Sequence, residues 1–315
     1  MKSITFTCEV VTPMFLAGAD GSTPELRAPS IKGALRFWWR ALNGDKDIKE
    51  LRKQEAEIFG GTDEKVGRSK VIIQSSHYKI EPLPEKPLPH HTGDRNCPAC
   101  NNDNVCKKGF PNESIPISYK FDIKLSLSQE ILLSDSQKFD LDKLESIFIL
   151  ACLLGGLGRR SRRGFGSVKI IKKNSSLFSM PESIKDIIPH IAKFNPDYQI
   201  DPISSLSKII LIKPAFPERQ YPYIESIQIG ETVYPDYESL LLKIGEATHD
   251  FKNKNDHSLG YAEKGDRLAS PVYVSVLKKG LKDYRAIITT LHMATKDNKF
   301  EVNPFKQDGF KKAIL

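Results

Sequence analysis

LLGGLGRRSRRGFGSV, residues 153–168, is the stretch from which the fold of this 315-residue chain can be read. Before it, Leu141, Leu144, Ile147, Phe148, Ala151 and Leu154 recur at helical spacing with Asp140 placed to cap them, and a strand pattern begins after it at Ser167. The connection between helix and strand therefore carries Arg159, Arg160, Arg162 and Arg163 among glycines. Gly155, Gly156 and Gly158 can take positive φ and present backbone N–H groups, while the arginines offer planar, permanently charged donors that fork onto phosphate oxygens. Phe165, flanked by Gly164 and Gly166, leaves room for a base or sugar to lie on it. The plainer alternative is a helix C-cap followed by a solvated basic turn. Against that alternative, four arginines within five residues repel one another and call for something negative. A nucleotide-hydrolysing P-loop does not fit, because no GxxxxGK[ST] occurs and the order is helix, loop, strand.

Working outward, Ile4, Phe6, Cys8 and Val10 alternate with polar positions as in a half-buried strand, and residues 12–29 read as a loop. Ser30 is expected to cap a helix that ends near Gly44, with Ile31, Leu35, Trp38 and Leu42 as its apolar stripe. Lys32, Arg36 and Arg40, spaced by four, form a basic stripe on another face, and Trp39 lies three residues from Arg36. Residues 45–57 favour helix, residues 71–74 and 119–127 read as strands, and residues 81–116 break the pattern as a polar, proline-rich insertion. The first 175 residues thus run strand, helix, strand, strand, helix, strand, a ferredoxin-like βαββαβ unit. Beyond them, residues 208–212, 237–251, 271–277 and 284–291 read as strand, helix and an antiparallel pair. The expectation is an α+β chain of two ferredoxin-like domains in tandem, 1–175 and 176–315, although no second helix of the latter is evident before the polar carboxy terminus.

The segment GGLGRRSRRGFGS resembles the glycine-rich signature loop of the RAMP superfamily, the RNA-binding proteins of CRISPR effector complexes. TPMFLAGAD at 12–20 and ELRAPSIKGALRFWWRAL at 25–42 are similar to the amino-terminal segment of the first-subunit family of the Cmr (type III-B) complex. The match thins beyond residue 175, where RLASPVYV at 267–274 is its main element. The resemblance implies ferredoxin-like domains, CRISPR guide RNA and single-stranded target RNA as partners beside other Cmr subunits, and a cytoplasmic antiviral subunit that binds RNA without cleaving it. Arg267 and Ser270 echo Arg27 and Ser30, which suggests paired RNA-facing motifs in the two halves. Resemblance also points Lys32 and Arg36 towards RNA. With Arg40 and Trp39 they would form a platform on which phosphates are held and bases stack for about 1–3 kcal/mol each; the alternative makes the tryptophans core and the stripe solvated.

A net charge of +8 and a pI near 9.0, at 39% apolar residues, fit a folded protein with an acidic partner such as nucleic acid. No signal-peptide pattern and no apolar run of spanning length is present, so no membrane is expected. Inside the insertion, Cys97, Cys100 and Cys106 with His91 or His90 are spaced to hold one structural zinc; a disulfide or free thiols remain open, and no cofactor is required for binding. The functional alternative is a metal-independent endoribonuclease that processes CRISPR transcripts, which needs a general base. None of the seven histidines falls in the matched motifs, and no aspartate cluster for two-metal hydrolysis appears.

Overall fold

The computed structural model describes residues 1–44, 46–61, 67–92, 97, 110–201, 208–211, 221–251, 257–263, 266–293 and 303–315. Its first part comprises β1 (Lys2–Val10), α1 (Ala28–Leu42), α2 (Ile48–Phe59), β2 (Val71–His77), β3 (Leu83–Glu85), β4 (Asn112–Ser114), β5 (Lys120–Leu127), β6 (Ile131–Leu132), β7 (Lys138–Phe139), α3 (Leu141–Leu154), β8 (Val168–Lys173) and β9 (Ser176–Leu177). The second comprises α4 (Ile184–Ala192), β10 (Tyr198–Ile200), β11 (Lys208–Leu211), β12 (Ile224–Ile229), α5 (Tyr237–Phe251), β13 (Tyr261–Glu263), β14 (Asp266–Leu268), β15 (Val272–Gly280), β16 (Asp283–Leu291) and α6 (Pro304–Ile314). Two five-stranded antiparallel sheets result, ordered β2-β5-β1-β8-β9 and β10-β11-β12-β16-β15.

The alternation read in the first strand places Ile4, Phe6, Cys8 and Val10 in the core, and the one-residue register fixes every opposite side chain outward. α1 starts at Ala28 rather than after a Ser30 cap, because Pro29 is accommodated in the first turn where no N–H is needed. Asp140 caps α3 as expected, its carboxylate accepting from Lys143 N at 3.0 Å. α3 is not one-sided, however. From Ile147 to Leu154 every residue is buried, because the helix packs on β1, β5 and β8 and also touches β15 and β16. One hydrophobic core therefore spans both sheets, joining Phe6, Leu35, Phe148 and Leu154 to Tyr273, Leu277, Ile287 and Leu291.

The boundary expected at residues 175 and 176 falls within the first sheet, where Asn174 and Ser175 take positive φ and turn β8 into its neighbour β9. The helix that sequence reading did not find is α6. Asn303 caps it through Phe305 N at 3.0 Å, and Phe310 and Ile314 enter a second core with α5, β15 and β16. In the insertion β3 pairs with β4, while Cys100 and Cys106 lie outside the described residues. No helix among the described residues is long and apolar enough to cross a membrane.

Candidate nucleic-acid interface

The arginine-bearing loop, residues 155–167, is fastened from both sides. Towards the amino-terminal segment, Arg159 N donates to Phe15 O at 2.9 Å, Gly166 N to Pro13 O at 3.0 Å and Ser167 N to Thr12 Oγ1 at 3.0 Å. Towards the second sheet, Gly164 N donates to Val274 O at 2.7 Å, and Ser167 Oγ accepts from Val276 N at 3.0 Å. Within the loop, Leu157 N donates to Gly166 O at 2.9 Å. The N–H groups of Leu157, Arg159, Gly164 and Gly166 thus serve the protein itself. The glycines permit close approach: a Cβ at Gly155 would stand 2.7 Å from Trp38 Nε1, and one at Gly156 2.6 Å from Phe165 O. Gly158, at φ +91°, lies against the Phe15 carbonyl. This amends the reading of Gly155, Gly156 and Gly158, which hold the loop's shape through these close approaches.

Phe165 is likewise corrected. It is 2% exposed, packs on Phe15 at 5.2 Å and belongs to the second core, so no base can lie on it. It plugs the loop into α5 and β15.

The four arginines divide into two pairs. Arg162 donates to Ser270 O and lies over Tyr273, with its guanidinium carbon 4.6 Å from the ring centroid. Arg163 donates from NH1 to Val272 O at 2.9 Å and to Arg162 O at 2.8 Å, reaches Leu259 O at 3.4 Å, and covers Phe310. Both guanidinium groups are turned towards β15 and the residues beside it, Arg163 with three hydrogen bonds and Arg162 with one, which sets them apart from the other two where the expectation treated all four alike. Arg159 is exposed, and Arg160, at φ +62°, keeps a buried Nε without a hydrogen-bond partner. Among the described residues none of the four is within ion-pair distance of a carboxylate. Burial, and then the charges of Arg160 and Arg162, lower the pKa of Arg163, and burial lowers that of Arg160. A guanidinium keeps its proton in a protein, so Arg160 holds its charge against burial, and Arg163 against burial and two like-charged neighbours.

Because Arg163 satisfies backbone carbonyls, Arg163→Ala should destabilise the fold by about 1–3 kcal/mol, visible as a lower denaturation midpoint with RNA affinity per folded molecule unchanged.

On α1 the basic stripe forms but is partly neutralised. Arg36 Nε and Arg40 NH1 each lie 2.6 Å from Glu55 Oε1, supplied by α2. Lys32 has no ion-pair partner among the described residues; burial and then Arg36 lower its pKa. Trp39 is 1% exposed and faces Phe59 in the core, so the stacking platform expected of it is absent. Phe37, on the same helix, lies 5.9 Å from the Arg162 guanidinium, which brings α1 beside the loop. Arg27 is 4.0 Å from Glu25 and Ser30 is half-buried beside it. Arg267 sits on β14 opposite Ala262, its side chain outside the described residues. Ser270 is buried, its hydroxyl accepting from Val272 N at 3.2 Å, which removes it from a role on RNA.

Sequence reading missed Thr12, whose hydroxyl donates to Gly164 O at 2.6 Å, and Tyr273, the support under Arg162. The TPM and SPVYV segments that carry them were visible only as motifs, since their partners are more than 100 residues away.

The description "RAMP superfamily" belongs to the family model that matches residues 7–169. Among curated relatives, the CRISPR system Cmr subunit Cmr1-2 of Pyrococcus furiosus is 29% identical over 184 residues, 54% of this chain and 96% of that protein. Cmr1-1 of the same organism is 33% identical over 162 residues, 49% of this chain and 43% of that protein. Among solved structures, apo Cmr1 from Pyrococcus furiosus aligns over 100% of this chain and 96% of its own, with TM-score 0.61 at 20% identity. A chain of the type III-B Cmr-beta complex bound to cognate target RNA aligns over 99% of both, with TM-score 0.56 at 13% identity. The matched segment begins in β1 and ends in β8, so it takes in the whole arginine loop and the segment that fastens it. By that match, over more than half its length, the chain belongs to the RAMP superfamily.

Proposed function

We propose that this chain is a non-catalytic RNA-binding subunit of a type III-B CRISPR effector in the cytoplasm, holding guide or target RNA while another subunit cleaves it. The observation that carries this is the loop of four guanidinium groups without a carboxylate partner among the described residues, of which Arg159 is exposed and Arg160 keeps a buried Nε without a hydrogen-bond partner. A rigid, uncompensated positive site recognises phosphate oxygens and gives sequence-independent, salt-sensitive binding. The relatives named for Cmr subunits, and the fold shared with a chain of a Cmr-beta complex bound to cognate target RNA, support the reading of such an assembly. The strand order β2-β5-β1-β8 with α1 and α3 fits a ferredoxin-like unit. In the second sheet β12, α5, β15, β16 and α6 follow the same sequence of elements, with β11 beside β12.

The test is incubation of the purified chain with end-labelled, guide-like RNA, followed by parallel native and denaturing gels across a salt series. Retarded, intact RNA that is released at high salt is expected. Discrete fragments formed in chelator would overturn the proposal in favour of the endoribonuclease.

Glu55→Gln supplies a separate prediction. Removing the carboxylate shared by Arg36 and Arg40 should raise RNA affinity about 3-fold at low salt by freeing one positive charge on α1, and filter binding would show it. An unchanged affinity would place the α1 stripe off the RNA path.

A further inference from the structure

The insertion and α5 meet at three imidazoles. His90 and His91 come from the segment that follows β3, and His249 from the last turn of α5. One ligand atom from each lies within 4.8 Å of the other two. The rings are close as well: centroids are 4.4 Å apart for His90 and His91, 5.8 Å for His90 and His249, and 6.3 Å for His91 and His249. His91 is buried and His249 is exposed, so the group sits at the surface with one wall in the protein.

Two further observations make this a built site. Gly245, one turn before His249, faces His90, and a Cβ there would stand 2.5 Å from His90 Nδ1. The missing side chain is the space that lets the insertion dock on the helix. Cys97 Sγ lies 3.5 Å from His91 Nδ1, beside the set of three whose ligand atoms all lie within 4.8 Å of one another and on its His91 flank. Sulfur and nitrogen ligands of one tetrahedral zinc, at about 2.3 and 2.0–2.1 Å from the metal, are themselves separated by roughly 3.5 Å. The donor set is imidazole with a thiolate and no carboxylate, which selects zinc or a late first-row ion over magnesium or calcium.

We propose that His90, His91 and His249 bind one divalent transition ion, zinc by preference, with Cys97 as the fourth ligand, and that the ion staples the insertion to α5. This differs from a knuckle closed within the insertion, because one ligand belongs to a helix about 150 residues further on. The staple bears on the arginine loop: Leu241 and Ile244 of α5, which would hold the ion near its carboxy end, flank Gly164. Fixing α5 to the insertion fixes the wall against which Gly164 packs.

Cobalt titration of metal-stripped, full-length protein tests the assignment. One equivalent should give the intense visible bands of tetrahedral cobalt, with a sulfur charge-transfer band that Cys97→Ser removes. His249→Ala, at an exposed position that does not threaten folding, should weaken cobalt and zinc binding about 100-fold, and Gly245→Ala should weaken it at least about 10-fold by displacing His90. If His249→Ala binds metal as tightly as the unaltered chain, the ligands lie within the insertion and the staple is wrong. An absence of tetrahedral bands at one equivalent would overturn the site altogether.

Discussion

Replacing Arg159 and Arg160 together by Ala is expected to lower the affinity for single-stranded RNA about 100-fold near physiological salt and to make log K against log salt shallower by about 1.4. The first figure follows from about 1.5 kcal/mol for each charge-assisted contact, and the second from roughly 0.7 per phosphate on a single strand. These are the two loop arginines whose charged groups the second sheet does not engage, since Arg162 and Arg163 are committed to Ser270 O, Val272 O and Leu259 O. The double substitution leaves the fold in place: Arg159 is exposed, and Ala at position 160 inherits a positive φ that Arg already tolerated. The measurement is a filter-binding series over salt, paired with a denaturation curve. A slope unchanged by the double substitution would remove the loop from the RNA path, whatever the stability does. Arg163→Ala is the counterpart, because it moves stability and leaves the slope alone. The pair of variants therefore separates a loop that touches RNA from a loop that merely contains arginine.

How far the sequence disclosed this division can be stated residue by residue. The alternation of β1, the helical spacing of α3 and the span of α5 were legible, because each depends on neighbours a few positions away. So was the loop, since glycine and arginine at that density have few uses. What the loop's residues do was not legible. Arg162 and Arg159 look alike in sequence, and only the arrival of Ser270, Val272 and Tyr273 from a strand more than 100 residues later distinguishes them. The same holds for His249, whose partners His90 and His91 lie in another part of the chain. α6 escaped for a different reason. Its apolar face is only Phe310 and Ile314, with Gly309 lowering its helix propensity, yet that glycine makes room for Phe251 of α5. An Asn-Pro pair at its start was the one local signal.

Trp39→Ala is expected to reduce folding stability by about 3–5 kcal/mol, the usual range for emptying a buried aromatic site, while RNA affinity per folded molecule stays within 2-fold, roughly. The indole is 1% exposed, sits edge-on to Phe59 at 6.5 Å between ring centroids and belongs to the core that joins the two sheets. A stacking role would require it to swing out past Arg36 and Arg40, which α2 holds in place through Glu55. Leaving the core would also forfeit the contacts whose loss sets the stability figure. Equilibrium denaturation distinguishes the two roles: a lower midpoint with an unchanged denaturant slope identifies core, and about 1–3 kcal/mol of lost RNA affinity at an unchanged midpoint identifies a base-stacking residue. Trp39→Phe keeps most of the buried area, so it retains enough stability for the RNA measurement even where the alanine variant unfolds. The neighbouring Trp38 is buried as well, with Gly155 against its Nε1 edge, so the paired tryptophans of FWWRAL read as one structural unit. Trp38 packs α1 against the arginine loop at Gly155, and Trp39 packs it against Phe59 of α2. RNA contact by the helix is then an electrostatic matter, governed by salt, and the aromatic residues act on it only by holding the cations in position.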